Sequence, residues 1–134
     1  MTQHHDHRQP GYAPMAISSE DRTAAALAHA SSLIAMVISA GWLSFVGPLV
    51  AWLIYKGRSP FVRQAAAGSF NFNLTMWLVS IVGWICIITI IGIPLGLLLL
   101  AVSFLGQVIA HVIGTLRATR GEVMNYPLQI KILR

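Results

Sequence analysis

Acidic residues are nearly missing from this sequence. Its 134 residues include nine Lys and Arg but only four Asp and Glu, and those four, Asp6, Glu20, Asp21 and Glu122, lie outside its long apolar stretches. Charged residues make up 10% of the chain, against about 25% in a typical soluble domain. Ion-coupled transport usually needs a carboxylate within the membrane, and metal-dependent or acid–base hydrolysis needs its own ionisable groups; neither finds them here. An enzyme is not expected, and no cofactor is implied. Cysteine occurs once, as Cys86 in an apolar run, which excludes a disulfide framework and a thiolate metal site. A net charge of +5 could suggest nucleic acid, but no basic patch is interleaved with stacking aromatics. The first apolar segment begins near Thr23, after a polar stretch, with no pattern of a cleavable signal peptide.

What is present is apolar length. Hydrophobic residues are 56% of the chain, mean hydropathy is +0.70, and 53 residues, 64–116, pass without one charge between Arg63 and Arg117. At 1.5 Å per residue, about 20 apolar residues cross a hydrocarbon core, so this run holds two crossings. Gly92-Ile93-Pro94 divides them. Upstream, Ser18, Ser19, Glu20 and Asp21 announce a helix whose apolar run continues to Leu43; Gly41 and Gly47-Pro48 then interrupt before a run ending at Tyr55. The expectation is a shallow hairpin, one near-complete span followed by a short returning helix from Pro48 to Tyr55. A three-span alternative would put the amino terminus outside. Ser59-Pro60 supplies N-cap and N1 of the next helix, expected to run to about Ile91, and the last span to about Leu116.

Lys56, Arg58 and Arg63 form a loop without an acid, and Arg117 and Arg120 follow the last span. Cytoplasmic loops collect such residues, so both basic segments are placed inside, and with an even number of spans both termini are cytoplasmic. The fold class is an all-α integral membrane bundle of about four helices, the second one short, with an extended carboxy-terminal tail. One polytopic domain covers residues 20–134, and residues 1–19 are expected to be a disordered, His-containing tail. Removal of Met1 would leave Thr2-Gln3-His4 with a free amine, an arrangement that can wrap Cu(II) or Ni(II) in a square plane of nitrogens, with His4 as the ligand. At the other end, Tyr126-Pro127-Leu128-Gln129-Ile130-Lys131-Ile132 alternates like a half-buried strand, though a lone strand is not stable, and a tail along the interface is the simpler expectation.

The polar residues inside the apolar spans are few. Ser103, Gln107, His111 and Thr115 recur every four residues and make one stripe of the last helix, beside a small-residue stripe of Gly106, Ala110 and Gly114. Polar side chains avoid lipid, so this face should look into the bundle or at a partner. His29, Asn71 and Asn73 join His111 as candidates for a polar crevice. The structural alternative is that these groups only hold helices together. The tryptophans at 42, 52, 77 and 84, with Tyr55 and Tyr126, fit interface anchors or core packing.

Arg22-Thr23, Leu27-Ala28-His29-Ala30-Ser31, Gly47-Pro48-Leu49 with Trp52, Ser59-Pro60-Phe61-Val62, Phe70-Asn71-Phe72-Asn73 and the ending Gly121-Glu122 through Tyr126-Pro127-Leu128 carry a resemblance. Over residues 20–134 the chain resembles the bacterial membrane family catalogued as domain of unknown function forty-eight-seventy, itself similar to the Tic-twenty-like superfamily. That resemblance implies a four-helix membrane bundle with both termini on one side, and no activity. Where that family often carries acids after the Ser-Pro-Phe-Val turn, this chain has Gln64-Ala65-Ala66-Ala67, so a role for such acids does not carry over.

The sequence thus predicts a multi-pass protein of the inner (plasma) membrane, a non-enzymatic subunit or scaffold. Its partners would be the lipid bilayer and another membrane protein or a second copy, with no nucleic acid. The alternative, from the resemblance and the shallow hairpin, is a small oligomeric conduit or insertion factor for a peptide or solute.

Overall fold

Ser18 starts the first helix as its residue type suggests: its hydroxyl accepts the N–H of Asp21 at 3.0 Å. The structure, a computed structural model, describes residues 16–134, so the copper or nickel reading at His4 lies outside the described residues. Four helices follow in order: α1 (Ser19–Ser39), α2 (Val46–Tyr55), α3 (Pro60–Ile88) and α4 (Ile93–Thr119). The protein is all-helical, and no strand forms among the described residues. Three helices are long and apolar enough to cross a membrane, and α2, with 10 residues, is not. The expected shallow hairpin is therefore seen, with α2 about 15 Å long against about 30 Å for α1.

α1 ends where Ala40 and then Gly41 take positive φ, 49° and 92°. Glycine pays little for that conformation, which lets the chain reverse within a few residues. α2 can lie close against α1 because Gly47 has no side chain to collide with that of Ser31. Ser59 caps α3 by accepting the Val62 N–H at 3.3 Å, with Pro60 at the first helical position as its fixed φ favours. α3 stops at Ile88, three residues before the predicted end, because the Thr89 hydroxyl donates to Cys86 O at 2.6 Å and Ile90 adopts φ 62°.

The start of α1, the end of α2, the start of α3 and the end of α4 meet at one end of the bundle. Ala24, Ala25, Ala26, Phe61, Val62, Ala65 and Ala118 pack there with Ile17, Tyr55 and Val123. Lys56, Arg58, Arg63, Arg117 and Arg120 are consequently gathered at that same end, in the α2–α3 loop, the first turn of α3 and the last turn of α4 with its cap. Toward the opposite end Trp42 meets Trp77 edge-on at 6.2 Å. Farther along, α3 and α4 touch backbone to backbone: a Cβ on Gly96 would lie 2.5 Å from the carbonyl oxygen of Gly83.

The amino-terminal half of α3 is the axle. Ala65, Ala66, Ala67, Ser69, Asn71, Phe72 and Asn73 are all buried, covering far more than one face. Part of that cover is the tail, residues 121–134, which folds back on α3 and reaches α1 and α4 through Tyr126. Asn71 Oδ1 accepts the N–H of Ile132 at 3.0 Å and of Leu133 at 2.9 Å, and its Nδ2 donates to Leu133 O at 2.9 Å. Thr75 Oγ1 accepts the Ile130 N–H at 2.9 Å, and Trp52 Nε1 donates to Arg134 O at 3.2 Å. The alternating tail thus satisfies its backbone on side chains, not in a ladder.

Candidate functional site

His29 on α1, Asn73 on α3 and His111 on α4 each face the bundle axis, and each is at most 2% exposed. Tyr126 of the tail inserts among them. Its ring stacks on Phe72 with centroids 4.8 Å apart and lies over Gly68. Its hydroxyl sits 2.6 Å from His29 Nδ1 and 3.2 Å from His111 Nδ1. On the far side of its ring, His111 Nε2 is 2.6 Å from Asn73 Oδ1. Asn73 Nδ2 then donates to Ser32 Oγ and to Ser44 O, each at 3.0 Å, and Ser32 Oγ lies 3.1 Å from Ser69 Oγ. One hydrogen-bonded chain therefore joins three helices, the α1–α2 turn and the tail.

Proton bookkeeping fixes its direction. Asn73 uses its amide N–H groups on Ser32 and Ser44, so its oxygen must accept from His111 Nε2. With neutral imidazoles, His111 Nδ1 is then an acceptor and takes the single proton of Tyr126. The Tyr126 oxygen in turn accepts from His29 Nδ1, which leaves His29 Nε2 as a bare lone pair, and that atom is buried without a partner. Burial pushes the Tyr126 phenol above its ordinary pKa, which keeps the proton this chain needs. Ser44 O belongs to an irregular turn between α1 and α2, and irregular backbone at membrane depth needs such an internal partner.

The other candidates divide. Ser103 and Gln107 belong to a separate group on the same α4 face: Ser103 Oγ donates to Met76 O at 2.8 Å and lies 2.7 Å from Ser80 Oγ. Gln107 Nε2 reaches Ser103 only at 3.3–3.4 Å, and its Oε1 is buried without a partner. It borders a hollow of about 200 Å³ with Trp42, Trp77, Trp84 and Phe104. Asn71 does not join the histidines; it holds the tail. Of the small-residue stripe, Ala110 and Gly114 are used inside the bundle: a Cβ on Gly114 would lie 2.9 Å from both His29 Nδ1 and Tyr126 Oη. Gly106 faces only Met76 Sδ, 3.9 Å from where its Cβ would stand. Sequence reasoning missed Ser32, Ser44 and Ser69, which look like any small residue in a span, and it left Tyr126 between interface anchor and core packing; the structure buries it. Tyr126 as the one aromatic residue of the tail was the available signal.

The model of the magnetosome magnetite crystal formation protein family matches residues 20–133. The chain belongs to that family. No curated protein and no solved structure matches it. The resemblance to domain of unknown function forty-eight-seventy and to the Tic-twenty-like superfamily is thereby corrected, and the import-type conduit it suggested loses its basis. The residues that carried the resemblance include Ser59-Pro60 at a helix start, Gly47 at a close contact and Tyr126 at the tail lock. They report how the bundle is built, which is why they could point to a wrong family while giving the right architecture. As a member of the magnetosome crystal formation family with three apolar spans, the chain is a multi-pass membrane protein.

Proposed function

We propose that this protein is a non-enzymatic subunit of the membrane within which magnetite crystals form, a scaffold against which other membrane proteins or further copies pack. Family membership supports the setting. The observation that carries the scaffold reading is the closed hydrogen-bond chain from His29 through Tyr126, His111 and Asn73 to Ser32. It joins three helices and the tail while presenting no group to solvent. Polar groups so arranged rigidify a bundle and specify one packing. Both ends of the described chain and the basic residues Lys56, Arg58, Arg63, Arg117 and Arg120 belong on the cytoplasmic side.

The α4 polar and small-residue stripes turn inward in this structure, so an intermolecular contact falls on the outward apolar face, where Leu98, Leu105 and Ile109 are more than half exposed. The test is extraction in native lipid with a tag on the amino-terminal side, crosslinking, and identification of bound chains by mass spectrometry. A stoichiometric partner or a defined homo-oligomer, weakened by Leu105→Trp with Ile109→Trp, is expected. Recovery of a lone monomer that associates with nothing would overturn the subunit reading.

A further inference from the structure

Arg63 projects from the first turn of α3, and the folded-back tail brings Lys131 and Arg134 to the same place. The three line one hollow of about 340 Å³, together with the amide side chains of Gln64, Asn71, Asn125 and Gln129, and no acidic side chain lines it. Three like charges repel one another and gain from a shared anion. Nothing forces Lys131 and Arg134 there except the clamp already described: Asn71 grips the backbone of Ile132 and Leu133, Thr75 that of Ile130, and Trp52 that of Arg134. The fold thus uses three buried or half-buried side chains to deliver two cations to a third.

The depth of this groove narrows the ligand. It lies at the end where the four helix termini and the basic loops gather, the level of lipid headgroups. A guanidinium fork matches phosphate oxygens in pairs, an ammonium adds a point charge, and primary amides can donate to the remaining oxygens. Basic pockets against membrane helices on the cytoplasmic side are suited to phosphate headgroups.

We propose that the groove between α3 and the carboxy-terminal tail is a phosphate-binding site, its ligand the phosphate group of an acidic phospholipid or free phosphate, and that docking of the tail assembles it. The bare electrostatic alternative is that every cation at this end attracts anions equally. The two differ in what Lys56, Arg58 and Arg120 do, since these three do not line the groove.

The full chain would be purified in a neutral detergent and titrated with phosphatidic acid, phosphatidylglycerol or phosphatidylcholine, with bound lipid counted by native mass spectrometry. A parallel calorimetric titration would use inorganic phosphate. Arg63→Gln, Lys131→Gln and Arg134→Gln combined should lose about tenfold or more in affinity for acidic lipid, as removal of charge-assisted hydrogen bonds would. Lys56→Gln, Arg58→Gln and Arg120→Gln combined, an equal change of charge, should stay within about twofold, as screened surface charges do. The exchanged side chains are exposed, so both proteins should keep their fold. Asn71→Leu keeps every charge but frees the tail, and should weaken binding like the first triple variant. Saturable phosphate binding without lipid preference would assign the site to the soluble ion, and binding of acidic lipid over phosphatidylcholine would assign it to the headgroup. Equal losses in the two triple variants, or no binding of either probe beyond that of phosphatidylcholine, would overturn the proposal.

Discussion

The Tyr126 hydroxyl meets His29 Nδ1 at 2.6 Å although the two residues are 97 positions apart. The tail therefore closes on the first helix of the chain, and it does so with one phenolic oxygen shared between two imidazoles. Tyr126→Phe keeps the ring on Phe72 but removes the only group that joins the histidines. It should lower stability by about 1–3 kcal/mol, the cost of leaving buried polar groups unpaired. Tyr126→Ala also empties the space over Gly68 and should cost about 3–5 kcal/mol. Thermal unfolding in nanodiscs would show the order wild type, Phe, Ala; equal melting of wild type and Phe would mean that the hydroxyl contributes nothing.

Two glycines, each about one helical turn from Ala110 and on either side of it along α4, should respond in opposite directions. Gly114→Ala places a Cβ 2.9 Å from both His29 and Tyr126, and neither buried ring has room to retreat. A loss of about 1–3 kcal/mol is expected from such overpacking. Gly106→Ala meets nothing closer than the flexible Met76 sulfur at 3.9 Å and gains helix propensity, so it should be neutral or stabilising by up to about 1 kcal/mol. Melting temperatures of the two variants side by side check this. A destabilised Gly106→Ala would show that another chain, not Met76, covers that position.

These pairs also show what a linear reading can and cannot reach. Helix starts were legible because Ser18 and Ser59-Pro60 act locally, through hydrogen bonds and φ within one turn. The α4 stripe was legible because a four-residue period survives without knowledge of its neighbours, and Ser103, Gln107 and His111 are indeed buried. His29, Asn73 and His111 could be named together as polar residues that lipid would reject. Their connection could not, because it depends on Tyr126, whose place is set by a tail that folds back on Asn71 and Thr75. A side chain that clamps distant backbone leaves no period in sequence, so Asn71 was grouped with the histidines on residue type alone. The close approach of Gly83 to Gly96 was hidden for a similar reason: it is a property of two helices, and the sequence shows only two glycines in apolar runs.

Asn71 makes three hydrogen bonds to the tail backbone and none to the histidine chain. Asn71→Ala should therefore release residues 129–134 while the bundle core stays closed. The Ile130, Ile132 and Leu133 amides should exchange with deuterium at least about tenfold faster, while those of α4 around His111 keep their protection, as expected for a local opening. Peptide-resolved hydrogen exchange in nanodiscs distinguishes the cases. Acceleration throughout α1 and α4 would show that the tail and the core unfold as one unit.

Gln107 offers the opposite expectation to His111, four positions away on the same buried face. His111 is bonded at both ring nitrogens, so His111→Leu strips a partner from Asn73 and another from Tyr126 and should destabilise strongly. Gln107 has two long contacts to Ser103 and a buried Oε1 with no partner, and it borders a hollow where the Trp77 indole N–H is also unpaired. Removing an orphaned polar group in favour of an apolar one of similar size is favourable, so Gln107→Leu should raise stability by about 1 kcal/mol. Equilibrium unfolding in mixed micelles would measure both changes. A destabilised Gln107→Leu would mean that the two long contacts to Ser103 are worth more than the burden of the unpaired amide oxygen.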